Sequence, residues 1–241
     1  MFQNEHKVIG IIGAMDAEVD LIKERVGSAS VLTISGIDFV YGEWNGLNIV
    51  VARCGIGKVF AAICAQTMIL TFHPDVVINV GVGGSLTRDL DIGDIAIAES
   101  AVQHDMDTSP LGDPVGLISG INIVYLPCTK SVVDEIAACA EELDINYRKG
   151  VVTSGDCFVN STEKKRFLTE TFGGIVCEME GASIVHVCYV NQVPCCVIRA
   201  ISDNGDENSH NDYQVSLAKA SANAIRLLSD YLDHCAAQAA E

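Results

Sequence analysis

Gly174-Ile175-Val176-Cys177-Glu178-Met179-Glu180 is the stretch on which the architecture turns: an apolar run of strand length that exits into two carboxylates and opens a helix. A second such unit follows, Val197-Ile198-Arg199-Ala200-Ile201 running into Ser202-Asp203. Apolar strands alternating with helical segments predict an α/β domain. In such sheets ligands collect outside the carboxyl ends of strands, where loops and helix N-termini converge. The spacing therefore predicts Glu178, Glu180 and Asp203 around one crevice. Each also has a plainer reading, since an acid at a helix start complements the dipole by about 0.3–1 kcal/mol, and Asp203 can cap a turn.

The opposite end of the chain repeats the pattern. Val8-Ile9-Gly10-Ile11-Ile12-Gly13 reads as a buried strand with glycine at its exit, and Ala14-Met15-Asp16-Ala17-Glu18-Val19 starts a helix. Glu18 falls in the first turn, facing the same crevice, although a surface acid there is equally reasonable locally. Two glycines without a third, and no acidic strand end at the required distance, exclude a dinucleotide fingerprint.

Between these ends, Ser30 to Val51 reads as antiparallel strands with a hairpin turn at Asn45-Gly46. Cys54-Gly55-Ile56-Gly57-Lys58 leads into an alanine-rich helix reaching Thr71; the glycine loop lacks Walker spacing and its Ser or Thr, which argues against a triphosphate site. Val76 to Val80 reads as a buried strand exiting into Gly81-Val82-Gly83-Gly84, where a ligand can lie against bare backbone. A strand is expected over Asp91 to Glu99. A long irregular stretch follows from Gln103 to Asn122, of a length that marks function or assembly. A helix is expected from Thr129 to Leu143, a strand from Arg148 to Thr153, and a terminal helix from Asn208 to His234, with Tyr213 just inside its start.

The chain has 241 residues and a net charge of −17. Its scattered Lys and Arg exclude a phosphate-backbone or anionic-membrane surface. Lys164-Lys165-Arg166 reads as a solvated face. The first residues lack a signal-peptide layout and the apolar runs are too short to span a bilayer, so a single domain over 1–241 is expected in the cytoplasm. Ten cysteines stand without any C-x-x-C pair, so all are expected to be reduced thiols, with neither zinc nor disulfide.

Gly10 to Glu18, Gly55-Ile56-Gly57-Lys58, Ser154-Gly155-Asp156-Cys157-Phe158-Val159-Asn160, Glu178-Met179-Glu180 and Arg199-Ala200-Ile201-Ser202-Asp203 together closely resemble the 5′-methylthioadenosine/S-adenosylhomocysteine nucleosidases. The resemblance runs in order from the first strand to the final helix. It implies a nucleoside phosphorylase-like α/β fold, a mixed twisted central sheet flanked by helices. It further implies a homodimer, no cofactor, no metal, and an adenine nucleoside as the small-molecule partner. By the same resemblance Asp203 protonates adenine N7 with Ser202 orienting it, and Glu18 activates water with Arg199 nearby. Glu180 takes the ribose hydroxyls, Glu178 and Gly84 join the substrate-binding set, and Met179 packs under the sugar. Phe158 stacks on adenine while Val159 reads its edge through backbone groups. Met15, Ile56 and Tyr213 line the 5′-thio pocket, and Thr108, Leu111 and Ser119 reach into the partner's site.

The chemistry accounts for these residue types. Breaking an N-glycosidic bond leaves positive charge on ribose and negative charge on the base, so protonating the purine removes the main obstacle. Asp203 must then hold a proton near neutral pH while Glu18 stays ionised, a division of labour between two acids. Two positions depart from the resemblance. Val82 replaces a small hydroxyl residue in the glycine loop, and Leu111 replaces an aromatic. Three rivals are a purine nucleoside phosphorylase, an aminodeoxyfutalosine nucleosidase and a nucleoside-binding protein. The first needs cations where this chain has Asn79 and Val82. The last is expected to have lost one of Glu18, Glu180 or Asp203.

Overall fold

The computed structural model describes Phe2 and residues 7–239. Ten strands and six helices occur among the described residues: β1 Val8–Gly13, α1 Asp16–Lys23, β2 Gly27–Ile34, β3 Ile37–Trp44, β4 Leu47–Arg53, α2 Lys58–Phe72, β5 Val76–Ser85, β6 Ile95–Gln103, β7 Leu126–Pro127, α3 Lys130–Glu142, β8 Tyr147–Ser154, α4 Thr162–Phe172, β9 Gly174–Glu178, α5 Gly181–Asn191, β10 Cys195–Asp203 and α6 Ser209–Ala239. This is the mixed α/β sheet flanked by helices that the sequence predicts.

The sheet differs in one respect from an open α/β layer. β1 lies between β4 and β5, parallel to both, and β5 runs parallel to β10. β10 then pairs antiparallel with β6, β6 parallel with β8, and β8 parallel with β9. β9 returns to β5 in an antiparallel seam, Gly84 opposite Cys177 and Ser85 opposite Val176. Five strands thus close into a ring, with β4, β3 and β2 extending from β1 as the antiparallel wing. Glycine permits this closure. A Cβ at Gly83 would lie 2.8 Å from the Cys177 carbonyl oxygen, and one at Gly84 would lie 2.7 Å from Asp203 Oδ1. The seam carries Glu178 to the exit of β5, so ring closure brings Glu178 and Glu180 to the parallel edge where Glu18 and Asp203 already lie.

Strand interiors explain the rest of the core. β5 and β10 are buried along their whole length, as continuous apolar runs covered on both faces should be. Asn45 and Gly46 both take positive φ, 49° and 88°, giving the mirror-image turn that suits a two-residue hairpin. The strand expected over Asp91 to Glu99 begins instead at Ile95 and runs on to Gln103. Asp94 Oδ2 accepts from the Asp91 amide at 2.8 Å and Gly93 sits at φ 100°, so these residues close a turn before the strand starts. The irregular stretch after β6 holds a 3₁₀ turn at Ser109–Leu111 and one bridge, Ile118 with Ile123.

All ten cysteines are unpaired, nine of them buried. Burial pushes the Cys64 thiol up to about 12, which keeps it a small apolar side chain. Of the lysines expected on a solvated face, Lys165 is partly buried instead, its Nζ donating to the Asn204 carbonyl at 2.6 Å. Among the described residues no helix is long and apolar enough to cross a membrane.

Candidate active site

A cavity of about 310 Å³ opens where β1, β5, β9 and β10 end. Glu18, Glu178, Glu180, Ser202 and Asp203 supply its polar lining, and Met15, Ile56, Val82, Phe158, Val159, Met179 and Tyr213 its apolar one, with Gly83 and Gly84 as bare backbone. Of the residues proposed from sequence, Arg199, Thr108, Leu111 and Ser119 do not line it. Ala14, Cys157 and Cys177 do line it and were not singled out for a role.

Glu18 is held by backbone. Its Oε2 accepts from the Ala14 and Met15 amides at 2.7 and 2.9 Å, and its Oε1 from the Val82 amide at 3.1 Å. Val82 cannot offer a side-chain hydroxyl, but its amide fixes the base directly. Burial pushes the Glu18 carboxyl above the usual range, and it outweighs the downward pull of Arg199 and the three amides. A buried carboxylate with raised affinity for protons is the stronger base toward water.

Asp203 ends β10 in a comparable cradle. Its Oδ2 accepts from Ser202 Oγ at 2.9 Å and its Oδ1 from the Gly205 amide at 2.9 Å. The Ser202 hydroxyl has a second acceptor, the Gly83 carbonyl, at 3.3 Å. It can therefore turn between the two.

Arg199 stands behind this lining, 1% exposed. Its Nη2 bonds Glu178 and, at 2.6 Å, the side-chain oxygen of Asn79, and lies 3.9 Å from Glu180 Oε2. Asn79 is fixed in turn by donating to the Ile12 carbonyl at 2.8 Å. Glu178 is fully engaged. It accepts from Ser154 Oγ, from Arg199, and from the Glu180 and Gly181 amides at 3.0 and 2.7 Å. The plainer expectation for Glu178, an acid complementing a helix start, is the one the geometry favours.

Glu180 keeps one face open to the cavity while its Oε1 accepts from the Gly57 amide at 2.8 Å. Burial first, and then the Glu178 carboxylate, push it up to about 7 against Arg199 and that amide. Below pH 4.5, its ordinary value, folded and unfolded chains both hold this proton; between there and about 7 the folded chain alone holds it. Stability contributed by Glu180 is therefore full at the acid end and declines as pH rises through about 7, by on the order of a few kcal/mol. Urea unfolding of wild type and Glu180→Gln across this range should show the decline in wild type only. Parallel curves would refute the assignment.

Tyr213 closes the far end, its hydroxyl 3.2 Å from Met15 Sδ and its ring edge-on to Phe158 at 5.8 Å between centroids. Ile56, also in the lining, is 56% exposed. Thr108 bonds Asp113 at 2.8 Å and Leu111 is 84% exposed, both on the irregular stretch after β6. His104 was missed from sequence: it is 2% exposed, and its ring packs against Gly155, where a Cβ would come within 2.4 Å of Nε2.

The comparisons agree with this geometry. Residues 8–233 match the family model described as the phosphorylase superfamily. The aminodeoxyfutalosine nucleosidase of Helicobacter pylori strain ATCC 700392 / 26695 is 38% identical over 226 residues, covering 93% of this chain and 97% of that protein. The 5′-methylthioadenosine/S-adenosylhomocysteine nucleosidase structure from Helicobacter pylori with butyl-thio-DADMe-Immucillin-A superposes with a TM-score of 0.93 at 37% identity, covering 96% and 100% of the two chains. The Neisseria meningitidis nucleosidase of that same description, in complex with methylthio-immucillin-A, gives 0.92 at 29% identity over 95% and 99%. Both names lie within one fold, and the chain belongs to the phosphorylase superfamily, among its nucleosidases.

Proposed function

We propose that this nucleosidase hydrolyses the N-glycosidic bond of 5′-methylthioadenosine and S-adenosylhomocysteine, releasing adenine and the 5-thioribose sugar. Asp203 donates a proton to adenine N7, Glu18 takes one from water, Glu180 accepts the ribose hydroxyls, and Phe158 and Val159 hold the base. The observation that carries the reading is the charge of the cavity. Glu18, Glu178, Glu180 and Asp203 line it, no Lys or Arg does among the described residues, and the guanidinium of Arg199 is already bound by Glu178 and Asn79.

That charge favours water over phosphate as nucleophile. A phosphate dianion about 4 Å from the Glu18 carboxylate would meet repulsion on the order of several kcal/mol at an effective dielectric near 20. Turnover should be equal in phosphate and in phosphate-free buffer of matched ionic strength, with free sugar as product. A pentose 1-phosphate among the products would return the phosphorylase to first place.

Aminodeoxyfutalosine is the second reading for substrate. It is supported by the name of the Helicobacter pylori relative. Parallel rates on the three nucleosides decide between them. On the first reading the enzyme serves methionine salvage in the cytoplasm.

The reading also includes a homodimer. Ile56, Val59, Phe60 and Ile63 recur at helical spacing and are 56%, 69%, 54% and 40% exposed, beside the 103–122 stretch with Leu111. An apolar face of this kind suits burial against a second copy, with Thr108, Leu111 and Ser119 entering the partner's site. Light scattering at micromolar concentration should give twice the chain mass; a fully active monomer would rule the dimer out.

A further inference from the structure

Three loops meet beside the cavity without lining it through the residue that joins them. The loop before α2 brings Gly57 and Lys58, the segment after β6 brings Asp105, and the loop after β8 brings Asp156, which leads directly into Cys157, Phe158 and Val159. Lys58 Nζ lies 2.6 Å from Asp105 Oδ1, and the other Asp105 oxygen accepts the Asp156 amide at 2.9 Å. Asp156 Oδ1 in turn accepts the Lys58 amide at 2.8 Å, one residue from the Gly57 amide that holds Glu180. The Lys58 carbonyl is anchored from below by Ser183 Oγ at 2.7 Å.

We propose that Asp105 is a positioning residue that locks the base-holding wall, Phe158 and Val159, to the ribose-holding carboxylate, Glu180. The circuit is closed: Asp105 to Lys58, Lys58 backbone to Asp156, Asp156 backbone to Asp105. It is partly shielded, with the Lys58 and Asp105 side chains 18% and 29% exposed, so the ion pair is less screened than one on the open surface. Burial pushes the Asp105 carboxyl up, but the bond from Lys58 and the Asp156 amide overcome it and hold it below the usual range, so it carries its charge at neutral pH. Without Asp105 the Asp156 amide and the Lys58 ammonium lose their shared acceptor, and the two halves of the nucleoside site can move apart.

The groups so fixed grip the substrate before and during reaction, whereas Asp203 and Glu18 are held by other contacts. Losing the lock therefore weakens ground state and transition state alike, which raises KM and spares kcat. The inference rests on the nucleosidase reading for its kinetic arm, and adenine binding supplies an arm independent of it. Wild type, Asp105→Asn, Asp105→Ala and Lys58→Met should be compared in methylthioadenosine kinetics, adenine calorimetry and thermal melting.

Asp105→Ala should raise KM on the order of tenfold with kcat within about threefold, and weaken adenine by a similar factor at temperatures well below its melting point. Asp105→Asn should fall between, because one oxygen remains for the Asp156 amide while Lys58 loses its counter-charge. It carries the test if the alanine variant does not fold. Combining Asp105→Ala with Lys58→Met should cost less than the two separate effects together. Wild-type KM and adenine affinity in both Asp105 variants, or a fall in kcat at unchanged KM, would overturn the proposal. A wild type that binds adenine but cleaves no nucleoside would overturn the activity instead and leave the adenine comparison to judge Asp105.

Discussion

Asp203→Asn is expected to bind substrate analogues near wild-type strength while losing about 10²–10⁴-fold in kcat, equivalent to roughly 3–5 kcal/mol of transition-state stabilisation. The cradle tolerates the amide. Its oxygen still accepts the Gly205 amide, and its NH2 can donate to Ser202 Oγ while that hydroxyl turns to the Gly83 carbonyl, 3.3 Å away. What the amide cannot do is give up a proton to a departing purine. Single-turnover cleavage of methylthioadenosine, with analogue binding measured beside it, checks both halves. A variant within tenfold of wild type would show that the acid lies elsewhere.

Glu18→Gln should lose a comparable factor for a different reason. The carboxylate serves three amides with two oxygens, Ala14 and Met15 on one and Val82 on the other. A glutamine keeps only one acceptor, so its NH2 must face a backbone N–H. The variant thus loses the base and sets two donors against each other, costing about 1–3 kcal/mol of stability. A drop in melting temperature should accompany the rate loss, in contrast to Asp203→Asn. The acidic limb of the kcat/KM profile that depends on Glu18 should also vanish. Full activity in a destabilised Glu18→Gln would separate the two roles and remove Glu18 from catalysis.

What could be read in advance follows from how local each feature is. The strand–carboxylate–helix units at Glu18, Glu180 and Asp203 are local, and all three side chains reach the cavity. Ring closure left no trace in periodicity, because the Gly84–Cys177 seam joins strands far apart in the chain. Glu178 and Glu180 were alike on sequence, and both line the cavity, yet Glu178 takes the helix start and Arg199 while Glu180 takes the Gly57 amide. Their difference lies in a Ser154 hydroxyl at the end of β8 and a Gly57 amide from the loop before α2. A usable signal did exist for Asn79 and Arg199. Each is a polar residue inside an otherwise apolar strand, and such a residue must find a polar partner or leave a buried donor stranded. Here they find each other.

The ring has a consequence in time. β5 carries the glycine wall of the cavity, but its neighbours in the closed circuit, β9 and β10, are made much later. At roughly 5–20 residues per second of synthesis, the strand waits for several seconds with one edge open before Cys177 and then Asp203 emerge. Neither the acid nor the seam that orients it exists until then. On the proposed reading, a nascent or truncated chain ending before Asp203 carries Glu18 but lacks the acid that expels the purine. On that reading competence arrives late, when β9 and β10 complete the ring.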